Sequence, residues 1–180
     1  KLSGVQSATL GYHDVIQLST DQSVQGLGSL TINAVDANTY AHTINWATSY
    51  SSQALPDLIA QLIAHRADAT THNVVYALVD AATWQRLHLS TGEQFPLPVE
   101  SSGLTHANFV ALAPISYVPG VKDLASLPWS GMGILVDYQS YIKVKAQVTS
   151  QAAATFAPNY IWLKTDSNAA TLAHISNLLP

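Results

Sequence analysis

The stretch Leu30–Tyr40 has the sequence Leu-Thr-Ile-Asn-Ala-Val-Asp-Ala-Asn-Thr-Tyr, and it joins a strand to a helix without a loop. Its first six residues alternate between apolar and polar side chains, which is typical of a half-buried strand. Asp36 comes next, and an aspartate carboxylate at a helix N-cap accepts N–H groups of the first turn. Val35 and Tyr40 can pack together across that helix start. The stretch therefore predicts a strand that passes directly into a short helix.

The same arrangement occurs twice more. Val79-Asp80 precedes Thr83-Trp84, and Val136-Asp137 precedes Ser140-Tyr141. Each pair follows an apolar run, so we predict three helices that begin at Asp36, Asp80 and Asp137 and are capped by these side chains. We interpret this as a recurring capping device and not as a duplicated repeat. Asp166 is predicted to cap the last helix in the same way.

Other segments extend the prediction. Gln53–Arg66 is predicted to be a longer helix, because Leu55, Leu58, Ile59, Leu62 and Ile63 recur at helical spacing. Asn108–Val118 is predicted to be a strand in which Pro114 indicates an edge position or a bulge. Strands and helices alternate without a strict βαβ order. The sequence therefore predicts an α+β fold with one or more mixed sheets, as a single domain over residues 1–180 that could consist of two lobes.

Composition excludes some partners. Charged residues make up 10% of the 180 residues, and the net charge is −4. The basic residues are scattered, whereas a nucleic-acid partner requires a clustered basic face. The absence of cysteine excludes disulfides and thiol chemistry. A polar surface with few charges is common in proteins that work outside the cell.

The sequence offers no catalytic motif. The seven histidines lack the His-x-x-x-His spacing of a helical metal site, and glycine-rich phosphate-binding motifs are absent. Capping accounts for the four aspartates named above. We therefore predict a protein that is not an enzyme and has no cofactor or metal. A serine hydrolase that uses Ser29 or Ser130 with a histidine is the less favoured alternative.

Two tryptophans are candidates for contact with a partner. Trp46 and Trp129 lie near loops rich in serine or proline, where an exposed aromatic side chain can anchor a protein or a lipid surface. Trp84 and Trp162 lie in segments where core packing is expected.

Five blocks of the sequence resemble the extracytoplasmic domain of FtsX-like (MacB-type) ABC transporter permeases. Their order and spacing carry the resemblance. The second block ends in a Gly-Glu turn into a strand, and the third ends in a Pro-Gly turn. The blocks cover most of the chain after residue 30: Leu30–Trp46 with Gln53–Pro56, Tyr76–Phe95, Val110–Gly120, Gly133–Tyr138 and Asn159–Asp166.

The resemblance implies a non-catalytic domain on the extracytoplasmic side of the cell membrane, with membrane helices before and after it in a longer chain. ATP would be hydrolysed by a separate cytoplasmic subunit or domain. The domain would relay motion, or contact cargo or an extracytoplasmic protein partner, and the family offers no catalytic residues to transfer. A secreted binding or adhesion module is the alternative that the low charge and exposed aromatic residues also fit.

Overall fold

The described strands of this protein form one mixed sheet. The computed structural model describes residues 4–18, 28–100, 103–121, 132–166 and 168–178. In this part of the chain seven strands are arranged in the order β4-β5-β3-β6-β2-β1-β7. Their bounds are β1 Val5–Leu18, β2 Gly28–Val35, β3 Val74–Asp80, β4 Gln94–Pro98, β5 His106–Ile115, β6 Met132–Asp137 and β7 Tyr160–Thr165.

Helices cover both faces of the sheet, which confirms the predicted α+β class. Helices α1 and α2 pack on one face, and α3, α4 and α5 pack on the other. None of the described helices is long and apolar enough to cross a membrane. Their bounds are α1 Tyr40–Thr43, α2 Leu55–Ala64, α3 Arg66–Thr71, α4 Ala81–Arg86, α5 Tyr138–Thr149 and α6 Ala169–Leu178, with a 3₁₀ turn at Ala153–Phe156.

The centre of the sheet is buried on both faces. Successive side chains of a strand point to opposite faces. Ile134 therefore packs into the core beneath α5, whereas the next residue, Leu135, packs into the core beneath α2, and both are fully buried. From α2, Leu58 and Leu62 fill the second core, which confirms the predicted apolar stripe of this helix.

The strand directions bring two pairs of chain segments together. β2 runs parallel to β6, with Val35 opposite Asp137, so both strands end at the same edge. The chain then continues to α1 on one face and to α5 on the other. β1 is antiparallel to β7, with Val5 opposite Thr165, so the start of β1 lies beside the end of β7.

Two of the predicted helix caps are confirmed. Asp80 Oδ1 accepts the Thr83 N–H at 2.6 Å, and α4 begins immediately after Asp80. Asp137 Oδ2 accepts the Ser140 N–H at 3.0 Å, and α5 begins immediately after Asp137. In both cases the strand passes into the helix without a loop, as the sequence pattern predicts.

The other two predicted caps are wrong. Asp36 stabilises a turn and not a helix start: Oδ1 accepts the Asn38 N–H at 3.1 Å, and α1 begins only at Tyr40. Before α6, the capping side chain is that of Asn168, whose Oδ1 accepts the Ala170 N–H at 2.9 Å. Aspartate and asparagine both suit turns and caps, so local sequence does not decide which role each one takes.

Candidate functional site

The carboxyl ends of β2 and β6 form a crevice that contains a network of charged and polar side chains around Asp137. We call it the β2–β6 crevice, after the parallel strands whose following helices leave to opposite faces. Such a position is where open α/β sheets often bind ligands. Asp137 lies here with 1% of its surface exposed, so its carboxylate needs partners within the protein.

Arg66 of α3 supplies these partners. Its Nη2 donates to Asp137 Oδ1 at 2.7 Å, and its Nε donates to Asp137 Oδ2 at 3.0 Å, which is the bidentate geometry of a strong pair. The Ser140 hydroxyl also donates to Oδ2, at 2.9 Å. Hydrogen bonding to Asp137 raises the pKa of the Arg66 guanidinium above its ordinary value, so this group stays charged. The carboxylate therefore caps α5 and fixes α3 to the same edge of the sheet.

A small groove of about 180 Å³ opens beside this pair, lined by Arg66, Thr70, Gln139, Ser140 and Lys143. Arg66 Nη1 donates to Asn38 Oδ1 at 3.3 Å, and Lys143 Nζ donates to Thr70 Oγ1 at 2.8 Å. Both cations are thus bonded to neighbouring side chains of the protein. These bonds connect α3, α5 and the turn before α1, so the side chains of the groove hold three parts of the protein together.

A second charged group lies beneath α5. Asp14 Oδ2 accepts hydrogen bonds from the Tyr141 hydroxyl, at 2.7 Å, and from Lys145 Nζ. The Lys145 side chain is almost fully buried, and its Nζ lies 5.2 Å from the centre of the Tyr12 ring and 5.0 Å from that of Phe156. Burial, with the nearby Asp14 charge, raises the pKa of Tyr141, so this hydroxyl stays a donor. The sequence gives no local signal for a pair separated by 131 residues.

Asp80 has a different environment from Asp137. Burial raises the pKa of this carboxyl, while hydrogen bonds from Thr83 and from the backbone N–H groups of Gly133 and Ala82 act in the opposite direction. Thr83 is also fully buried, and its hydroxyl accepts the Gly133 N–H at 3.0 Å. A Cβ on Gly133 would lie 3.2 Å from Asp80 Oδ2, so the backbone of β6 closes tightly over this carboxylate.

Trp46 lines an open cleft. Its ring packs nearly perpendicular to that of Tyr50, with 5.3 Å between the ring centres. The cleft has a volume of about 450 Å³ and lies between α1, the turns that follow it and the start of α2. Trp84 and Trp162 are partly buried and pack against the two cores, as expected. Trp129, the other aromatic candidate, lies outside the described residues.

The candidate residues of a hydrolase are placed as follows. Ser29 lies in β2 opposite Gln17, and Ser130 is outside the described part of the chain. The His65 ring stacks on Tyr76 with 3.8 Å between ring centres, and its Nδ1 lies 3.0 Å from Asp68 Oδ2. Over the described residues, no group of three or more histidines and acidic residues is arranged to hold a metal ion.

Comparison with known proteins does not assign the chain to a family. No protein-family model matches the sequence, and no curated protein matches it as a relative.

Proposed function

We propose that this chain is the non-catalytic extracytoplasmic domain of an FtsX-like (MacB-type) ABC transporter permease, in which it relays motion or contacts cargo or a protein partner. The observation that carries the proposal is the pairing of β1 with β7. A domain inserted between two membrane segments has to leave and return at the same membrane surface. Val5 and Thr165 form the end of the antiparallel β1–β7 ladder, so the two strands meet at one end of the domain.

Further contacts hold these two strands together. The Asp166 N–H donates to the Gly4 carbonyl at 3.0 Å. Gly4 has φ +78°, a backbone conformation that favours glycine. A Cβ at this position would lie 2.1 Å from Thr171 Oγ1 of α6, so α6 packs directly against the start of β1. Movement of one strand would therefore be passed to the other, as a domain that relays motion requires.

The positions of the sequence blocks also support the proposal. The blocks overlap strands of one sheet and the helices that follow some of them: β2 with α1, β3 with α4 and the start of β4, the second half of β5, β6 with the first residue of α5, and β7. Two ion pairs connect these elements to the rest of the domain: Asp137 at the end of β6 pairs with Arg66 of α3, and Lys145 of α5 pairs with Asp14 of β1. Internal pairing of this kind suits a rigid body that moves as a unit.

The test begins with the native gene. The sequence on both sides of this chain is expected to encode apolar segments of about 20 residues. Because the chain has no cysteine, a single introduced cysteine is a unique label within it. Ala60, exposed on α2, is a suitable position, and the buried Leu58 provides a matched control.

In intact cells that express the full-length protein, we expect a membrane-impermeant maleimide to label Ala60→Cys and not Leu58→Cys. Labelling of Ala60→Cys only after lysis would contradict the extracytoplasmic location. Labelling in intact cells combined with flanks that lack apolar segments would contradict the permease and favour the secreted module.

A further inference from the structure

The cleft beside Trp46 has the dimensions of a small-molecule site. Its volume of about 450 Å³ falls within the range of roughly 300–1,000 Å³ that is common for ligand pockets. Its wall is held in place by the protein, because the Tyr50 carbonyl accepts the Ser116 N–H at 2.6 Å. The lining residues are Ala41, Trp46, Thr48, Ser51, Ser52, Gln53, Ala54, Leu55 and Pro56.

None of these nine lining residues is ionisable. A charged ligand would lose hydration without gaining a counter-charge, so the cleft favours a neutral one. Its polar groups are the hydroxyls of Thr48, Ser51 and Ser52 and the amide of Gln53. Hydroxyl and amide groups can both donate and accept hydrogen bonds, which suits a ligand whose own groups are hydroxyls.

Two of these polar side chains are already oriented by the protein. Ser51 Oγ accepts the Gln53 N–H at 3.0 Å, which leaves its O–H free to donate. Gln53 Oε1 accepts from Gln61 Nε2 at 3.1 Å, which directs the Gln53 amide nitrogen away from that bond. Such preorganisation reduces the entropy lost when a ligand binds.

The indole ring of Trp46 lines the cleft with its carbon atoms. Its Nε1 is buried and has no hydrogen-bond partner, so the part of the indole that lines the cleft is the apolar part of the ring. An extended peptide packed on Trp46 would gain no hydrogen bond from the indole, because its N–H is buried. A sugar ring has an apolar C–H face and a rim of hydroxyls, which match an aromatic surface bordered by hydroxyl and amide groups.

We infer that this cleft binds a neutral saccharide, with one pyranose ring packed on Trp46 and its hydroxyls bonded to Thr48, Ser51, Ser52 and Gln53. The inference concerns the cleft alone and does not depend on the proposed permease.

The test is titration of the purified chain with maltotriose and with chitotriose, followed by calorimetry and by ligand-observed NMR. We expect a dissociation constant of about 1 mM for at least one of the two sugars, as for a shallow site with few contacts. Trp46→Ala should weaken binding by about tenfold, since loss of an aromatic contact costs roughly 1.4 kcal/mol. The matched control Trp84→Ala, which removes a tryptophan packed on the other face of the sheet, should bind like the wild type.

A second variant covers the case in which Trp46→Ala does not fold. Thr48 and Gln53 are exposed, so Thr48→Ala/Gln53→Ala should fold normally and weaken sugar binding severalfold. The inference is overturned if neither sugar binds at about 10 mM, if both cleft variants that fold bind as tightly as the wild type, or if a proline-rich peptide binds at Trp46 and the sugars do not.

Discussion

Asp80 and Asp137 occupy the same place in the same local pattern, yet the protein treats the two carboxylates differently. Both end a buried strand, and both accept the N–H of the third residue that follows. Asp137 also receives two hydrogen bonds from the charged Arg66, whereas Asp80 has only neutral hydrogen-bond donors beside it in the described part of the chain. At these two positions the local motif places the helix start, while a distant residue determines how strongly the charge at that point stabilises the fold.

Removal of the Asp137 carboxylate should have the largest effect on stability. Asp137→Ala deletes the cap of α5 and leaves Arg66 without its partner. Loss of one member of a largely buried ion pair costs about 3 kcal/mol. Urea unfolding monitored by circular dichroism measures this loss, and a value below about 1 kcal/mol would mean that the pair behaves like a surface pair.

A double-mutant cycle separates the ion pair from the cap. Arg66→Met and Asp137→Ala, made singly and together, should show a coupling energy of about 2 kcal/mol. A coupling near zero would indicate that Asp137 acts on α5 alone, and the contrast with Asp80 would disappear.

Asp80→Ala should have a smaller effect. The substitution removes the cap of α4, which is worth about 1 kcal/mol, and it also removes a carboxylate that is buried at a cost. The same urea unfolding experiment applies. A loss as large as that of Asp137→Ala would show that Asp80 has a stabilising partner after all.

The smallest effect is expected from Asp80→Asn, and it should depend on pH. Because burial raises the pKa of Asp80 in the folded state, the native protein binds this proton more tightly than the unfolded chain. The tighter binding of this proton stabilises the folded state. The stabilisation is fully present below the unfolded pKa of about 4, and it is lost as pH rises through the pKa of Asp80 in the folded state.

Asparagine keeps a capping oxygen but does not titrate. Relative to Asp80→Asn, the wild type should therefore lose stability as pH rises from about 3 to neutrality. Thermal unfolding across this range checks the sign. Parallel stability curves for the two proteins would contradict a raised pKa for Asp80.

Much of the fold could be predicted because its signals are local. The runs before Asp80 and Asp137 are buried on both faces, and the caps need only the next three residues. The apolar face of α2 could be predicted equally well, because helical spacing alone places Leu55, Leu58 and Leu62 on one side of the helix. At Asp36 the same signal failed, since the carboxylate is used within a turn and α1 begins only four residues later.

The charged contacts could not be predicted in this way. Arg66 and Asp137 are 71 residues apart, and only the parallel pairing of β2 with β6 and the packing of α3 on α5 bring them together. The full length of the first strand could not be predicted either. β1 begins at Val5, and its first half mixes apolar, polar and small residues, so it lacks the continuous apolar run of a central strand.

The pairing of β1 with β7 has a mechanical consequence. A force that pulls the two strands apart at Val5 and Thr165 acts on one hydrogen-bonded residue pair of the ladder at a time, as when a zipper is opened. A force along the strands would load every rung together and meet far greater resistance. The contact between Gly4 and α6 lies beside the rung that would open first, so it would add to the force needed to begin separating the strands.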